Sequence, residues 1–366
     1  MNIGMVVHYF DRSEGTGGYV VELLNRIAQQ HQVTLYAAGI RAGVPLGVDI
    51  VHVPALRGRS YATILSFPAA FAAVRRRHDL VHSQGWVANH ADVVTAHIVL
   101  AAWREQARIA GVRTGRGERW LGGFVTRREA ALYGNPSHSR FIIAPSRKAQ
   151  DELASFYGRQ QRVHVVPHGF PEAHTCSNRT EARRSLGLPE EPQMALYVGS
   201  APKGLATAIE AVARASTSIH LLVLSGSAAP HYLSLASRHG LDRRIHWLGH
   251  VADPRQAYAA ADVLLHPTIY DTFGLVVAEA MAAGLPAIVS RTAGVTELIE
   301  HGVSGWLIDV SVQEARIALE TVFGDARLRA RLSAGALRVA QQRSWDDVAR
   351  ETMAIYHQAV CEADSR

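Results

Sequence analysis

Short apolar runs alternate with amphipathic helical patterns along most of the chain. Between the first two runs, Val20, Leu24 and Ile27 recur at helical spacing and predict an amphipathic helix. The first series of predicted strands, all expected to be buried, comprises 3–8, 33–37, 50–53, 79–82, 92–96 and 141–144. The second series comprises 194–198, 219–224, 245–248, 263–266, 287–290 and 305–308. Two consecutive series of this kind predict an α/β protein with two doubly wound parallel sheets.

A polar segment rich in proline and glycine separates the two series. It runs from 167 to 192 and has the composition of a linker. We therefore predict an N-terminal domain over 1–168 and a C-terminal domain over 169–344. A C-terminal helix within 345–366 could pack on either domain, including back onto the first. Because open parallel sheets bind ligands at the carboxyl ends of their strands, we expect two Rossmann-like domains facing across a cleft.

Composition places the chain among ordinary globular proteins with a basic surplus. It has 366 residues, 48% of them hydrophobic and 19% charged, and a net charge of +6. Two cysteines without a CxxC motif argue against a disulfide framework and a zinc site. Only Lys148 and Lys203 are lysines, so 36 of the 38 basic residues are arginines. The bias suggests GC-rich coding, but it makes each lysine notable.

The sequence also limits location and partners. The longest apolar run, 93–103, is shorter than the ~20 residues that a membrane span needs. The first residues enter an apolar run without the charged segment of a signal peptide. We expect a cytoplasmic protein, or one bound peripherally at the inner face of the cell membrane. No nucleic-acid recognition motif accompanies the basic charge, so we expect no nucleic-acid partner.

A glycine-rich segment follows the first predicted strand. Gly15, Gly17 and Gly18 lie between that strand and the first helix, where backbone N–H groups can approach a phosphate. A dinucleotide fingerprint would need a further glycine at position 20, which is Val20, and an acidic residue after the second strand. The dehydrogenase interpretation is therefore disfavoured. A glycine turn that serves only packing remains the alternative.

Two carboxylates flank the start of a predicted helix in the C-terminal half. Asp271 follows the strand 263–266, and Glu279 lies seven intervening residues later, early in the next helix. The N–H groups of Phe273, Gly274 and Leu275 would point towards an anion. The alternative is an ordinary helix start with a solvated glutamate.

This acidic pair, followed by Gly284-Leu285-Pro286, resembles the retaining family 4 glycosyltransferases of the GT-B fold, and loosely the lipopolysaccharide core glucosyltransferases. Asp271 stands where the family usually has glutamate. Further segments resemble family motifs in the same order: 17–18, 93–97, 142–146, 165–169, 197–204 and 248–251.

The resemblance implies roles for individual residues. Lys203 would bind the donor diphosphate, Glu279 the ribose, and Asp271 a hydroxyl of the transferred sugar. The amides of Gly17 and Gly18 would meet the distal phosphate. The implied catalytic residues are His97, Lys203 and Asp271. The implied donor-binding residues are Gly17, Gly18, Ser200, Lys203, His250, Val251, Asp271, Phe273, Gly274, Leu275 and Glu279.

Two departures from the family pattern affect the donor. The family usually has an arginine after the glycine at 199, and the loop Gly199-Ser200-Ala201-Pro202-Lys203 lacks it. Asp271 is one methylene shorter than glutamate, so the sugar would be held differently. His97 at a strand end and Lys203 at a helix start also have purely structural interpretations.

The implied activity is transfer of a hexose from a nucleotide sugar with retention of configuration. UDP-glucose is the first expectation and GDP-mannose the second. The acceptor would be a glycan or lipid-linked acceptor in cell-envelope polysaccharide, lipopolysaccharide or glycoconjugate biosynthesis. We expect no metal ion and no other cofactor. A GT-B-fold sugar-nucleotide epimerase and a non-catalytic sugar-nucleotide-binding subunit are the alternatives, and the oligomeric state stays open.

A basic and aromatic stretch between residues 103 and 129 suits contact with an acceptor or an anionic membrane. A solvated helix pair with buried aromatic residues is the alternative. The residues predicted for this contact are Arg104, Arg108, Arg113, Arg116, Arg119, Trp120, Arg127 and Arg128.

Overall fold

The computed structural model describes residues 1–56, 60–112, 115–172, 178–216, 218–226, 230–249, 251 and 254–364. The chain forms two compact units. The first contains Met1–Gly169 and Trp345–Arg366, and the second contains Phe170–Ser344. Each unit is built on one large parallel sheet flanked by helices. The predicted α/β class with two Rossmann-like sheets is therefore confirmed.

The first unit contains a seven-stranded sheet. The strands of this unit are β1 (Asn2–Val6), β2 (Tyr9–Phe10), β3 (Gln32–Ala37), β4 (Gly39–Ile40), β5 (Val48–His52), β6 (Leu80–Gln84), β7 (Ala91–Thr95), β8 (Ser139–Ala144) and β9 (Val163–Val165). Its first five helices are α1 (Gly15–Ile27), α2 (Ser60–Val74), α3 (Leu100–Ile109), α4 (Arg116–Gly134) and α5 (Arg147–Tyr157). The sheet has the order β5-β3-β1-β6-β7-β8-β9, and β2 and β4 form a separate short pair.

The second unit contains a six-stranded sheet. Its strands are β10 (Gln193–Val198), β11 (Ile219–Leu224), β12 (Ile245–Trp247), β13 (Val263–His266), β14 (Ala287–Ser290) and β15 (Trp306–Ile308). Its helices are α6 (Arg179–Ser185), α7 (Leu205–Arg214), α8 (Pro230–Arg238), α9 (Arg255–Ala260), α10 (Leu275–Ala282), α11 (Val312–Gly324) and α12 (Ala326–Ala340). The sheet order is β12-β11-β10-β13-β14-β15.

In both sheets, the side on which successive strands are added changes at the first strand. Successive strands are added on one side of β1 or β10, and then the chain crosses to the other side with β6 or β13. The loops after these neighbouring strands leave the sheet in opposite directions, which opens a crevice at their carboxyl ends. The crevices lie between β1 and β6 in the first unit and between β10 and β13 in the second.

The last helix of the chain, α13 (Trp345–Asp364), belongs to the first unit. The Tyr356 hydroxyl lies 2.5 Å from His82 Nδ1 in the middle of the sheet. Arg140 on β8 donates a hydrogen bond of 2.6 Å to the carbonyl of Ala359. The core of the first unit is thus completed by residues that follow the whole second unit in sequence.

Two expectations about local structure were wrong. The strand predicted at 50–53 is not buried: β5 forms the sheet edge, and Ile50 is exposed. The segment 167–192 is not a simple linker, because it contains α6. Arg183 of that helix is buried and donates to Asp262 at 2.9 Å and to the Ala260 carbonyl at 2.8 Å. A pattern of apolar residues does not show which strand is at the edge, nor which arginine finds a buried carboxylate.

Among the described residues, no helix combines the length and the apolar character that crossing a membrane requires.

Burial of His82 makes the stability of the first unit sensitive to acid. Burial, and then the nearby His97, lower the pKa of His82 from 6.5 to about 3. The unfolded chain therefore binds a proton between these values that the folded chain does not, so this contribution to stability is complete above pH 6.5 and is lost as the pH falls towards 3. Between pH 7 and pH 5 we expect His82 alone to cost about 2 kcal/mol of unfolding free energy. Urea unfolding at the two pH values measures the loss, and His82→Gln should show a smaller one. An equal loss in this variant would contradict the assignment.

Candidate functional site

The second unit brings together two residues that the sequence places 68 positions apart. A short 3-10 turn, Ala201–Lys203, follows β10, and Asp271 lies in the loop after β13. The Lys203 ammonium donates to Asp271 Oδ1 in a direct ion pair. Both residues lie at the carboxyl ends of the strands that border the crevice of this sheet. The predicted lysine and the first predicted carboxylate are therefore neighbours.

A glycine holds the Lys203 turn against the loop after β13. A Cβ atom on Gly204 would lie 2.3 Å from the carbonyl oxygen of Pro267, which is too close for any side chain. The Lys203 carbonyl accepts a hydrogen bond of 2.7 Å from the N–H of Ile269 in the same loop. The backbone thus fixes the start of the lysine side chain beside β13.

Asp271 has a second partner that the sequence analysis did not identify. His266, the last residue of β13, places its Nε2 3.0 Å from Asp271 Oδ2. Burial would raise the pKa of Asp271, but the Lys203 charge and the contact with His266 outweigh it and hold the pKa well below its usual value. Asp271 is therefore a carboxylate at neutral pH.

Glu279 lies in the second turn of α10. Its Oε2 accepts a hydrogen bond of 2.6 Å from the hydroxyl of Tyr258 on α9. Burial, together with the Glu279 charge, raises the pKa of Tyr258 well above its usual value, so the hydroxyl remains a donor. The described contact of Glu279 is thus a fixed hydrogen bond, and this side chain is not the solvated glutamate of the alternative interpretation.

The other predicted donor-binding residues of the second unit have different surroundings. The Ser200 carbonyl accepts from the Lys203 N–H at 3.0 Å and from the Tyr197 hydroxyl at 2.8 Å. Phe273 is buried, and its carbonyl accepts from Val295 at 2.8 Å. Val251 packs against the core of the unit. The predicted residue His250 lies outside the described residues.

Three helices of the candidate site start without a side-chain cap. Within the described chain, the N-cap residues Glu14 of α1, Gly204 of α7 and Gly274 of α10 make no capping hydrogen bond through a side chain. Elsewhere in the described residues the helices differ: the N-cap residues Ser311 and Asp325 accept from first-turn N–H groups through their side chains, whereas α3, α4 and α9 also start without such a cap. Uncapped N-terminal N–H groups, together with the helix dipole, favour a bound anion.

The glycine loop of the first unit folds back on itself before α1. A Cβ atom on Gly17 would lie 2.2 Å from the Asp11 carbonyl oxygen, whereas one on Gly18 would meet nothing closer than 3.3 Å. The Gly18 N–H donates to the Glu14 carbonyl at 2.7 Å and so belongs to the helix ladder. This differs from the expectation that the Gly18 amide faces a phosphate. The N–H groups of the first turn, at 15–17, are the ones that the helix itself does not use.

His97 follows β7 and is held by a residue that the sequence analysis missed. Its Nε2 lies 2.8 Å from Oε1 of Gln84, the last residue of β6. The Gln84 amide nitrogen lies 3.1 Å from the Met5 sulfur, which can only accept, so the amide oxygen faces the imidazole. Nε2 therefore carries the proton. Burial lowers the pKa of His97 to about 3, and the ring is neutral at physiological pH.

Aromatic rings connect His97 to the glycine loop. Tyr19 follows Gly18, and its ring lies 4.9 Å from that of His97 in an edge-to-face arrangement. The same tyrosine contacts His168 at 4.8 Å and Trp345 at 5.8 Å. Tyr19 therefore connects the predicted residue His97 to the glycine loop that contains Gly17 and Gly18.

The basic stretch forms two helices, α3 and α4. Trp120 is 72% exposed and Phe124 is 43% exposed. They share one face of α4 with Arg127 and Arg128, because residues four, seven and eight positions apart lie on the same side of a helix. The interpretation that the aromatic residues here are all buried is therefore wrong.

The arginines of this stretch have varied surroundings. Arg104 donates to Thr126 at 3.2 Å, and Arg108 pairs with Glu105 at 2.7 Å on the surface. Arg128 donates to Asn89 at 3.0 Å and lies 5.9 Å from the centre of the Trp86 ring. Arg119 is exposed and Arg116 begins α4, while the predicted residue Arg113 lies outside the described residues.

A buried carboxyl ties α4 to the segment after His97. Glu129 Oε2 accepts from the Leu100 N–H at the start of α3, at 2.7 Å, and from the Tyr157 hydroxyl. Burial raises the pKa of Glu129 to about 7, although both hydrogen bonds oppose the rise. Glu129 therefore attaches the face of α4 opposite Trp120 to the segment that follows His97.

Some of these contacts had a signal in the sequence. Gln84 and His266 each end a strand that borders a crevice, and polar residues at such positions are candidates for a site. Tyr258, Tyr19 and Glu129 had none, since their positions in helical patterns resemble those of ordinary core or surface residues.

Replacement of Gly17 by alanine tests the fold of the glycine loop. The new Cβ atom would overlap the Asp11 carbonyl, so we expect Gly17→Ala to lower the unfolding free energy by about 1–3 kcal/mol. Gly18→Ala is the matched control and should have a much smaller effect, because its nearest neighbour is 3.3 Å away. Thermal unfolding of the two variants measures the difference. Equal stability of both variants would show that the loop relaxes freely.

Comparison with known proteins identifies the family of the chain. The model described as "Glycosyltransferase Family 4" matches residues 13–174, and "Glycosyl transferases group 1" matches residues 178–338. A D-inositol 3-phosphate glycosyltransferase from Xylanimonas cellulosilytica is 28% identical over 392 residues, which cover 94% of this chain and 92% of that protein.

Solved structures agree in fold over nearly the whole chain. WaaG, a glycosyltransferase involved in lipopolysaccharide biosynthesis, has a TM-score of 0.81 at 20% identity, covering 97% of this chain and 99% of its own. HepE of Anabaena, solved in complex with UDP and glucose, has a TM-score of 0.73 at 19% identity, covering 98% and 100%. The chain belongs to the family 4 glycosyltransferases of the GT-B fold.

Proposed function

We propose that the chain is a retaining glycosyltransferase that moves a hexose from a nucleotide sugar to a glycan or lipid-linked acceptor of the cell envelope. UDP-glucose is the first candidate donor and GDP-mannose the second. The observation that carries the proposal is the position of Lys203. Its ammonium pairs with Asp271 at the crevice of the second unit, and these two residues precede the uncapped starts of α7 and α10.

The proposed donor site matches the charge of a nucleoside diphosphate. Lys203 supplies a cation, and the first N–H groups of α7 and α10 supply partial positive charge. Glu279, fixed by Tyr258, offers a carboxylate for the ribose hydroxyls. The HepE structure, with UDP and glucose bound to the same fold, supports a donor of this kind.

Charge builds on the diphosphate as the bond from the sugar to the nucleotide breaks. A fixed ammonium stabilises that charge more in the transition state than in the bound donor, which is how it would accelerate the reaction. We propose that Lys203 performs this role without a metal ion. Attack of the acceptor on the same face that the nucleotide leaves would retain the configuration of the sugar.

His97 would contact the sugar as a neutral hydrogen-bonding group. With its pKa lowered to about 3, it does not serve as a general acid at neutral pH. Its Nε2–H donates to Gln84, which fixes the orientation of the ring. In this form the ring would position a hydroxyl and would not donate a proton.

Two other functions remain to be separated from transfer. A sugar-nucleotide epimerase would bind the donor and need no acceptor. A non-catalytic subunit would bind it without consuming it, which the missing arginine after Gly199 favours. Transfer of labelled sugar to an acceptor distinguishes both from the proposed function.

Substitution of Lys203 and Glu279 tests the proposed donor site. We expect Lys203→Ala and Glu279→Ala each to lower sugar transfer by at least about 100-fold in variants that still fold, as thermal unfolding verifies. The assay follows transfer from radiolabelled UDP-glucose and GDP-mannose in EDTA. Lys148→Ala removes the chain's other lysine, which pairs with Glu152 on α5, and should leave transfer unchanged. Unchanged activity of the Lys203 and Glu279 variants would refute the site, and complete loss of wild-type activity in EDTA would refute the metal-free mechanism.

The exposed face of α4 suits a peripheral contact with an anionic membrane. Trp120 and Phe124 can enter the interfacial region while Arg127 and Arg128 meet acidic headgroups. We propose this face as the side on which a lipid-linked acceptor is reached, at the inner surface of the cell membrane.

Vesicle binding tests this surface. We expect the protein to bind vesicles that contain phosphatidylglycerol and to bind neutral phosphatidylcholine vesicles at least about tenfold less. The double variant Trp120→Ala, Phe124→Ala should lose most of the binding to acidic vesicles. Phe156→Ala on α5, which removes an aromatic residue about as exposed as Phe124, is the control. Sedimentation with vesicles measures the bound fraction, and equal binding to acidic and neutral vesicles would contradict the proposal.

A further inference from the structure

Three side chains of the second unit form a chain of contacts from the core to the surface. His266 Nε2 lies 3.0 Å from Asp271 Oδ2, and Asp271 Oδ1 accepts from the Lys203 ammonium. Side-chain exposure rises along this series, from 4% for His266 to 16% for Asp271 and 32% for Lys203. The lysine side chain is therefore supported from the buried side and partly exposed.

The chemistry of the contacts fixes the direction of each hydrogen bond. The Asp271 carboxylate can only accept, so His266 Nε2 carries a hydrogen and donates it. Among the described residues, the other ring nitrogen of His266 is buried without a hydrogen-bond partner.

Each oxygen of the carboxylate thus has a different neighbour. His266 fixes Oδ2 to the end of β13, a central strand of the sheet, and this sets the rotation of the carboxylate. Oδ1 is then directed to the lysine. A lysine side chain has four rotatable bonds, and ordering them opposes binding, so a carboxylate that already holds the ammonium lowers the cost when an anion arrives.

We propose that His266 is a positioning residue of the donor site, which acts through Asp271 to hold the Lys203 ammonium towards the terminal phosphate of a nucleoside diphosphate. This inference rests on the proposed function and adds to it. Asp271 acts on the donor through Lys203, in addition to the contact with a sugar hydroxyl that family resemblance implies. The shorter side chain of aspartate fits this role, because its carboxylate stays close to the strand end and within reach of His266.

The consequence is a preference for diphosphates over monophosphates that depends on His266. A nucleoside monophosphate lacks the terminal phosphate, so its affinity should not depend on the position of the ammonium. A purely structural role of His266 would weaken both ligands alike or lower only the stability.

The test compares the dissociation constants of a matched pair of nucleotides. The diphosphate is whichever of UDP, GDP, ADP and dTDP raises the melting temperature most, and the second ligand is its monophosphate. Isothermal titration calorimetry gives both constants for the wild type, Lys203→Ala, His266→Phe and His266→Gln. Glutamine can place an amide N–H near the position of Nε2, and phenylalanine cannot. His220→Phe, at the start of β11 in the same unit, is the control.

We expect His266→Phe to weaken diphosphate binding about tenfold, as Lys203→Ala does, and to leave monophosphate binding unchanged. His266→Gln and His220→Phe should resemble the wild type. If Lys203→Ala weakens the diphosphate and His266→Phe does not, the inference about His266 is overturned and the proposed donor site stands. If Lys203→Ala has no effect, or if no diphosphate binds, the donor site itself is overturned. Should His266→Phe fail to fold, His266→Asn, whose amide is too short to reach Asp271, replaces it with the same expected result.

Discussion

The order in which strands join each sheet is the constraint on which the candidate site depends. In both units the chain adds strands to one side of the first strand and then crosses to the other side, so that β1 lies beside β6 and β10 beside β13. All these strands are parallel, and their carboxyl ends share one edge. Residues distant in sequence therefore meet at that edge: Lys203 with Asp271 in the second unit, and His97 with Tyr19 in the first. The strand order therefore determines which positions of the chain come together at the site.

The two crevices differ in electrostatic character. In the first unit, burial lowers the pKa of His97 to about 3, so this imidazole is a neutral hydrogen-bonding group. In the second unit, Asp271 remains ionised because Lys203 and His266 compensate its burial. His97 is thus an uncharged polar group, which suits a hydroxyl, and the second crevice contains a fixed ion pair, which suits phosphate.

Sequence reasoning succeeded where a property depends on neighbours along the chain. Alternating apolar runs predicted both sheets, and the spacing of Asp271 and Glu279 predicted a loop followed by a helix, where the structure places them. It failed where a property depends on contacts across the fold. The burial of Arg183 in the supposed linker depends on Asp262, 79 residues later, and the orientation of His97 depends on Gln84 and Met5. The exposure of Trp120 could not be read from its helix either, because an aromatic residue has the same pattern on a free face as on a packed one.

The return of α13 to the first unit has a consequence for biosynthesis. During translation the first 169 residues emerge from the ribosome before the second unit, yet Trp345 and Tyr356 emerge only after it. Until then His82 lacks the hydroxyl that contacts it in the centre of the sheet, and Tyr19 lacks one of its aromatic neighbours. Domains generally fold as units while the chain is synthesised, but the first unit cannot complete its core until α13 has been made. The nascent chain therefore completes the second unit first, and a protein truncated before Trp345 would expose an unfinished core in the first unit.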